Sequence, residues 1–97
     1  SKKTSYVGTI TDISSNNIQL KSLEGNIEQV SVSDETDYVN TLKKNSEVKL
    51  NELAIGDYVI AMGTLGGNEM NTNTKVLDAK RILISSPFTV IILNKKK

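Results

Sequence analysis

The sequence predicts an all-β protein, a small barrel of five to six strands formed by a single domain of 97 residues. Short segments with alternating apolar residues recur along the chain, and clusters of Gly, Asn and Ser separate them at close spacing. The segment Tyr58–Leu65 is apolar on both faces, which is typical of a central strand or of one whose outer face is covered. A chain of this size buries roughly 60–65% of its unfolded surface, which supports one thin core.

The composition disfavours several classes of function. The charges are nearly balanced, with 12 Lys and Arg against 11 Asp and Glu, so neither a polyanion partner nor an acidic substrate is indicated. The sequence has no His and no Cys, which removes the commonest general base and the thiolate nucleophile. All apolar runs are far shorter than the ~20 residues of a membrane helix. We therefore expect a protein that is not an enzyme, with no metal, no cofactor and no membrane insertion by this segment itself.

The first third of the chain predicts a three-stranded meander. Residues 1–5 are polar and are expected to form a flexible lead-in. The strand Tyr6–Ile13 follows, and its apolar alternation slips in phase at Ile13, which indicates a β-bulge. Further strands are predicted over Asn17–Ser22 and Ile27–Ser33, with polar hairpin turns between them.

The middle segment, residues 34–51, admits two interpretations. Ser33 or Asp34 could cap a short helix over Tyr38–Lys44, in which several apolar side chains would share one face. Alternatively, a short strand at Tyr38–Val39 and another at Glu47–Leu50 flank a polar loop. The β propensity of Thr, Tyr and Val favours the second interpretation.

Three residues around the central strand are expected to be structural. Gly56 is predicted to take a positive φ in a tight turn, where the Asp57 carboxylate accepts hydrogen bonds from nearby amides. Gly63 is predicted to lie where a neighbouring strand or side chain packs too closely for a Cβ.

The last long strand is predicted over Thr74–Ser85, where the apolar residues change phase. A second bulge near Lys80–Arg81 would place both sets of apolar side chains inside the barrel. Pro87 ends this strand. The barrel domain is therefore expected to span residues 6–86, with residues 87–97 as a C-terminal extension or extra strand.

The chain resembles an uncharacterised family of small bacterial β-barrel domains that are similar to oligonucleotide/oligosaccharide-binding (OB-like) folds. The most specific part of the pattern reads L-x-x-G-D-x-V-x-x-x-G from Leu53 to Gly63, followed by A-x-x-I from Ala79 to Ile82. The resemblance covers about Tyr6–Ser85. It implies an OB-like barrel within a larger exported or membrane-anchored protein, hence an extracytoplasmic setting, and it implies no catalytic activity.

OB-like barrels usually hold ligands across strands two and three and the flanking loops. The candidate ligand-binding residues are the polar side chains expected there, namely Gln19, Lys21, Gln29, Ser31, Asn68 and Asn73. Such a face suits the hydrogen bonds of a sugar or peptide, and it suits a solvated sheet surface better still. Nucleic acid is disfavoured, because single strands need stacking aromatic residues and a basic groove.

A second surface is predicted on the outer side of the central strand, where Tyr58, Ile60 and Met62 would point away from the core. An apolar triplet on a free sheet face indicates a contact. The apolar C-terminal run, represented by Phe88, Val90 and Ile92, could fold back over this face or pair with a second copy to form a homodimer.

The residues therefore predict a non-catalytic β-barrel interaction or spacer module of a larger bacterial envelope or surface protein. The alternative is an OB-like domain that binds single-stranded nucleic acid or oligosaccharide.

Overall fold

The structure, a computed structural model, describes residues 3–65 and 75–87. This part of the chain consists almost entirely of β-strands, which confirms the all-β prediction. The strands are β1 (Lys3–Ile13), β2 (Asn17–Lys21), β3 (Ile27–Ser31), β4 (Asp37–Asn40), β5 (Ser46–Val48), β6 (Tyr58–Leu65) and β7 (Val76–Ser85). Two single 3₁₀ turns, Thr41–Lys43 and Leu50–Glu52, accompany them. The described strands number seven, against the five to six that were predicted.

Five of these strands close into a ring. Strand β1 pairs antiparallel with both β2 and β6, β2 pairs with β3, and β6 pairs with β7. The ring closes because β3 runs parallel to the first part of β7, from the pair Gln29↔Val76 to the pair Ser31↔Asp78. A three-stranded meander closed by a distant strand in this way is an OB-like barrel.

The hairpin β4–β5 extends the sheet beyond this ring. Residues Asp37–Asn40 pair parallel with Arg81–Ile84, the second part of β7. Of the two interpretations of the middle segment, the pair of short strands is therefore confirmed. Lys44 and Asn45 both have a φ of 57°, a left-handed conformation that a right-handed helix over this segment would not allow.

The long strands β1 and β7 each contain a bulge. Both bulges were predicted from a change of phase in the apolar alternation of the sequence. In β1 the register shifts between Ile10 and Asp12, and Ile13 returns to pack against the core. In β7 the extra residue is Lys80, because Met62 pairs with Arg81 whereas Gly63 pairs with Ala79.

The hydrophobic core fills the ring and draws on every strand of it. Val59 and Ala61 are fully buried, so the predicted inner face of β6 is confirmed. Seven large side chains are completely enclosed, namely Ile10, Ile18, Leu20, Val30, Val59, Leu77 and Ile82. Closing the barrel thus removes the inner apolar face of each strand from water, which is the main favourable contribution to folding.

Strand β1 begins at Lys3, three residues before the start that the sequence predicted. Lys3 pairs with Thr64 and Ser5 pairs with Met62, so these polar residues belong to the sheet. Their side chains show no apolar alternation, so no strand was predicted there.

The turn before β6 is fixed against β1. Gly56 has a φ of +102°, and its amide donates to the carbonyl of Ile10 at 2.8 Å. The Asp57 carboxylate accepts a hydrogen bond from the amide of Ala54 at 2.9 Å, closing the turn. These contacts set the position at which β6 enters the barrel.

Thr36 links the turn after β3 to β7. Its hydroxyl donates to the carbonyl of Ala79 at 2.9 Å and accepts from the amide of Ser33 at 3.0 Å. The residue is only 7% exposed, and its bond to Ala79 is buried, where water cannot replace it.

Candidate functional site

A row of polar side chains crosses β1, β2 and β3 on the outer surface of the barrel. The Gln29 amide donates to Oε1 of Gln19 at 3.0 Å, and the Gln19 amide donates to Oγ1 of Thr11 at 3.1 Å. The Thr11 hydroxyl in turn lies 3.3 Å from the main-chain oxygen of Gln19, to which it donates. We call Thr11, Gln19 and Gln29 the polar row. All three are half-buried, so the row is an ordered surface rather than a set of free side chains.

The polar row leaves hydrogen-bonding capacity for a ligand. Each glutamine amide offers two N–H donors and an oxygen with two lone pairs, and the row uses only one donor of each amide. Oε1 of Gln29 accepts no bond within the row. The polar row can therefore bind a neutral ligand without first breaking its own bonds.

The other predicted ligand residues flank the polar row. Ser31 lies opposite Asn17 on one side of it, and Lys21 lies opposite Ile27 on the other side. The structure thus brings the four predicted residues of β2 and β3 onto one sheet region. The two loop residues of that prediction, Asn68 and Asn73, lie outside the described residues.

A row of aliphatic side chains crosses four strands elsewhere on the outer surface. Val7 pairs with Ile60, Ile60 pairs with Leu83, and Leu83 pairs with Val39. Residues in register on neighbouring strands share a face, and Val59, Ala61 and Ile82 next to them point inward. We call Val7, Ile60, Leu83 and Val39 the outer apolar row. All four are half-buried. Met62 lies two residues after Ile60 on the same face of β6 and extends this apolar surface.

Tyr58 differs from the rest of the predicted contact face. It lies in register with Thr9 and Ser85 on the outer side, yet it is only 5% exposed. Its hydroxyl is buried and has no hydrogen-bond partner among the described residues, and burial raises the pKa of this phenol. The accessible part of the predicted triplet is therefore Ile60 and Met62. The remaining predicted contact residues, Phe88, Val90 and Ile92, lie outside the described residues.

A cleft of about 700 Å³ opens beside Met62 at the end of β6. The described part of its walls carries three cationic side chains, those of Lys3, Lys80 and Arg81, and we call it the basic cleft. Arg81 lies 3.8 Å from the Asp37 carboxylate, but both side chains are more than half exposed, so this ion pair is weak. This cluster was not predicted, although a bulge at Lys80–Arg81 implies that two adjacent cations share one face.

A second titratable cluster lies where β3 meets β7. The Tyr6 hydroxyl donates to the carbonyl of Lys75 at 3.2 Å, and burial together with the Glu28 carboxylate raises the pKa of Tyr6. The pKa of Glu28 is itself raised, first by burial and then by the charge of Glu24. Oε1 of Glu28 is buried and has no hydrogen-bond partner in the described part of the chain. Tyr6 and Glu28 therefore form a partly buried titratable pair at this junction.

Neither a metal cluster nor a membrane span is found within residues 3–65 and 75–87. No group of three or more His, Cys, Asp or Glu side chains in these ranges is arranged to hold a metal ion. None of the helices there has the length and apolar character needed to cross a membrane.

Comparison with known proteins supports the fold. No family model and no curated protein matches the chain. Among solved structures, the crystal structure of Ag(I)CusF is similar, with 18% sequence identity and a TM-score of 0.54. The similarity covers 88% of this chain and 100% of that chain. At this level of identity it shows the fold alone, a small β-barrel.

Proposed function

We propose that this chain is a non-catalytic interaction module of a larger bacterial envelope or surface protein. The observation that carries the proposal is the outer apolar row of Val7, Ile60, Leu83 and Val39. The barrel already encloses its own core, so four aliphatic side chains in line on its outer surface are not needed to close it. A contiguous apolar patch on an outer surface is the usual mark of a contact site.

A spacer is the less favoured form of the same proposal. A spacer needs a stable barrel and a solvated surface, and polar residues at the positions of the outer apolar row would serve it equally well. Covering one large aliphatic side chain gains about 1.5–3 kcal/mol, which a partner at this surface would provide.

The extracytoplasmic location is part of the proposal. It rests on the resemblance carried by the pattern from Leu53 to Gly63 and from Ala79 to Ile82. The similarity to Ag(I)CusF supports the barrel on which that pattern lies.

The silver ion named for that neighbour does not carry over to this chain. Soft cations prefer thiolate, thioether and imidazole ligands. This sequence has no Cys, no His and only two Met. Met62 lies beside cationic side chains in the basic cleft, an unfavourable surrounding for a metal cation. The side chains of this sequence therefore do not provide the ligands that a soft metal ion prefers.

The C-terminal segment Phe88–Leu93 is proposed to cover the Tyr58 end of the outer surface. Tyr58 points outward yet is almost completely buried within a single chain, so its cover belongs to the same chain. Pro87 lies two residues beyond Ser85, which ends β7 and pairs with Tyr58, so the described part of the chain ends close to the side chain that the segment would cover. A homodimer through this segment would leave Tyr58 exposed in the single chain.

Site-specific photo-cross-linking tests the interaction module. A photoreactive amino acid is placed at Ile60, and in a control variant at Leu23, which is 66% exposed on a turn away from this face. In the full-length protein in its own cells, Ile60 is expected to give one discrete adduct with an identifiable protein, and Leu23 none. No adduct at Ile60, or the same adducts at both positions, would favour a spacer.

Oligosaccharide binding is a second candidate, favoured by the free hydrogen-bonding capacity of Gln19 and Gln29. Nucleic acid remains disfavoured, because among the described residues Tyr38 and Tyr58 are buried and Tyr6 packs against the hydrophobic core. A titration with neutral oligosaccharides and with oligo-dT, followed by amide chemical shifts, separates the two. Shifts confined to β2 and β3 that vanish in Gln29→Ala would support the sugar. Saturable binding of oligo-dT that weakens steeply with salt would support nucleic acid.

A further inference from the structure

We propose that the basic cleft binds an acidic peptide segment of the partner protein, with carboxylates at its cations and an aliphatic side chain against Met62. This inference rests on the proposed interaction module, since it names the chemistry of the partner. It concerns the cleft lined by Lys3, Lys80 and Arg81, which adjoins the outer apolar row along β6.

The β7 bulge is what creates the cleft's charge. In a regular strand, neighbouring side chains point to opposite faces, so Lys80 and Arg81 would be separated by the sheet. Here Lys80 is the extra residue, and both side chains are exposed, whereas Ala79 and Ile82 on either side of them are buried. Bulges recur next to functional sites, where they redirect a side chain. This bulge directs a second cation into one cleft.

The third cation comes from the other side of β6. Lys3 pairs with Thr64, and Ser5 pairs with Met62, which pairs in turn with Arg81. Strands β1 and β7 therefore place positive charge on both sides of the Met62 side chain. Because the whole chain has a net charge of only +1, this is a local concentration of positive charge rather than a general property of the surface.

The local charge is available to a ligand. Asp37 is the carboxylate that reaches Arg81, at 3.8 Å, and with both side chains more than half exposed this pair exchanges readily for a better placed carboxylate. The planar guanidinium of Arg81 can then hold a ligand carboxylate through two parallel hydrogen bonds, a geometry that a lysine cannot offer.

The remaining lining favours a peptide. Thr4, Ser5 and Thr64 supply hydroxyl groups that can donate to or accept from main-chain amides. Among the residues that the structure describes, the lining contains no aromatic ring on which a nucleotide base could stack. A volume of about 700 Å³ lies in the range of pockets that enclose small ligands, so the cleft would hold a few residues. Met62 gives an aliphatic side chain of the peptide an apolar contact.

Fluorescence anisotropy with a labelled peptide of alternating Glu and Leu tests this proposal. We expect saturable binding that weakens about two- to fivefold in Lys80→Gln and in Arg81→Gln, as loss of one exposed ion pair allows. The matched controls are Lys43→Gln and Lys44→Gln, which remove exposed cations of the β4–β5 turn. They should leave the affinity unchanged, and a peptide with Gln in place of Glu should not bind.

Several outcomes would overturn the acidic peptide. No saturable binding up to about 1 mM, a concentration that corresponds to only weak association, would show that the cleft does not hold such a segment. Equal weakening in all four variants would mean general charge attraction. An adduct at Ile60 without binding of the acidic peptide would retain the interaction module and reject only this specificity. Binding of the peptide without an adduct at Ile60 would retain the cleft and reject the module.

Discussion

Gly63 of β6 packs directly against the main-chain carbonyl of Asp78 in β7. A Cβ on residue 63 would overlap with this carbonyl oxygen. This contact falls at the bulge, where the pairing shifts from Met62↔Arg81 to Gly63↔Ala79. A glycine at this position therefore allows β7 to approach β6 while Lys80 is left out of the ladder. The β7 bulge therefore accounts both for the requirement for glycine at residue 63 and for the clustered cations of the basic cleft.

Gly63→Ala is expected to lower the free energy of unfolding by about 2–3 kcal/mol, because the added methyl group forces two paired strands apart. The control is Gly25→Ala, where φ is +91° and nothing lies within 4 Å of the new Cβ. It should cost only the backbone strain of about 1–2 kcal/mol. Chemical denaturation measures both. A Gly63→Ala variant as stable as the parent protein would show that the strands are not in close contact there.

Thr36→Val is expected to destabilise the protein by about 1–3 kcal/mol. The substitution keeps the shape of the side chain but leaves the buried carbonyl of Ala79 and the amide of Ser33 without the hydroxyl partner. Thr36→Ser retains the hydroxyl and should recover most of the loss. If Thr36→Val and Thr36→Ser melt at the same temperature, the hydroxyl does not stabilise the turn between β3 and β4.

Tyr58→Phe is expected to leave the free energy of unfolding unchanged or to raise it by up to about 1 kcal/mol, because the buried hydroxyl has no partner among the described residues. The matched control is Tyr6→Phe, which removes a hydroxyl that donates to Lys75 at 3.2 Å and should cost about 0.5–1.5 kcal/mol. A larger loss for Tyr58→Phe than for Tyr6→Phe would reveal a partner in the part of the chain beyond residues 3–65 and 75–87.

Truncation after Ser86 tests the proposed cover of Tyr58. Removing the apolar segment should lower the melting temperature, since each large aliphatic side chain that it buries contributes about 1.5–3 kcal/mol. The sedimentation mass should remain that of a monomer before and after truncation. A fall from dimer to monomer would instead assign the segment to a homodimer, and an unchanged melting temperature would mean that it covers nothing.

The raised pKa of Glu28 predicts a pH dependence with a definite sign. The folded protein holds the carboxyl proton more tightly than the unfolded chain, so the neutral form contributes stability that is present at low pH. That contribution is lost as the pH rises from about 4.5 through the folded pKa. Relative to Glu28→Gln, the free energy of unfolding of the parent protein should therefore decrease over this window. Glu24→Gln should reduce the slope without abolishing it, because burial is the larger cause. If the free energy of unfolding of the parent protein rose with pH relative to that of Glu28→Gln, this assignment would be contradicted.

Much of the barrel could be predicted because its signals are local. Alternation gave the inner faces of the strands, and two changes of phase located the bulges next to Ile13 and at Lys80. The tight turn before β6 predicted a positive φ at Gly56, and its φ is +102°. These features depend on residues that are near neighbours in the sequence.

The features that the sequence did not predict depend on distant pairing. The parallel contact of β4 with β7 joins residues more than forty positions apart, as in the pair Asp37↔Arg81, and carries no local signal. The burial of Tyr58 depends on what covers the outer surface, and the basic cleft depends on Lys3 and Lys80 meeting across β6. Gln19 and Gln29 were predicted to share a face, but neither Thr11 nor the hydrogen bonds of the polar row were predicted, because side-chain geometry decides them.

The central claim, that the outer apolar row is a contact surface, can be measured through cysteine accessibility. These 97 residues contain no cysteine, so Ile60→Cys and the control Leu23→Cys each introduce a single thiol into the isolated domain. The rate of maleimide labelling is compared between the isolated domain and the full-length protein in its own cells. We predict that the Ile60→Cys thiol reacts in the isolated domain and is protected in the cell, whereas the Leu23→Cys thiol reacts in both. Equal labelling of the two variants in the cell would contradict the interaction module.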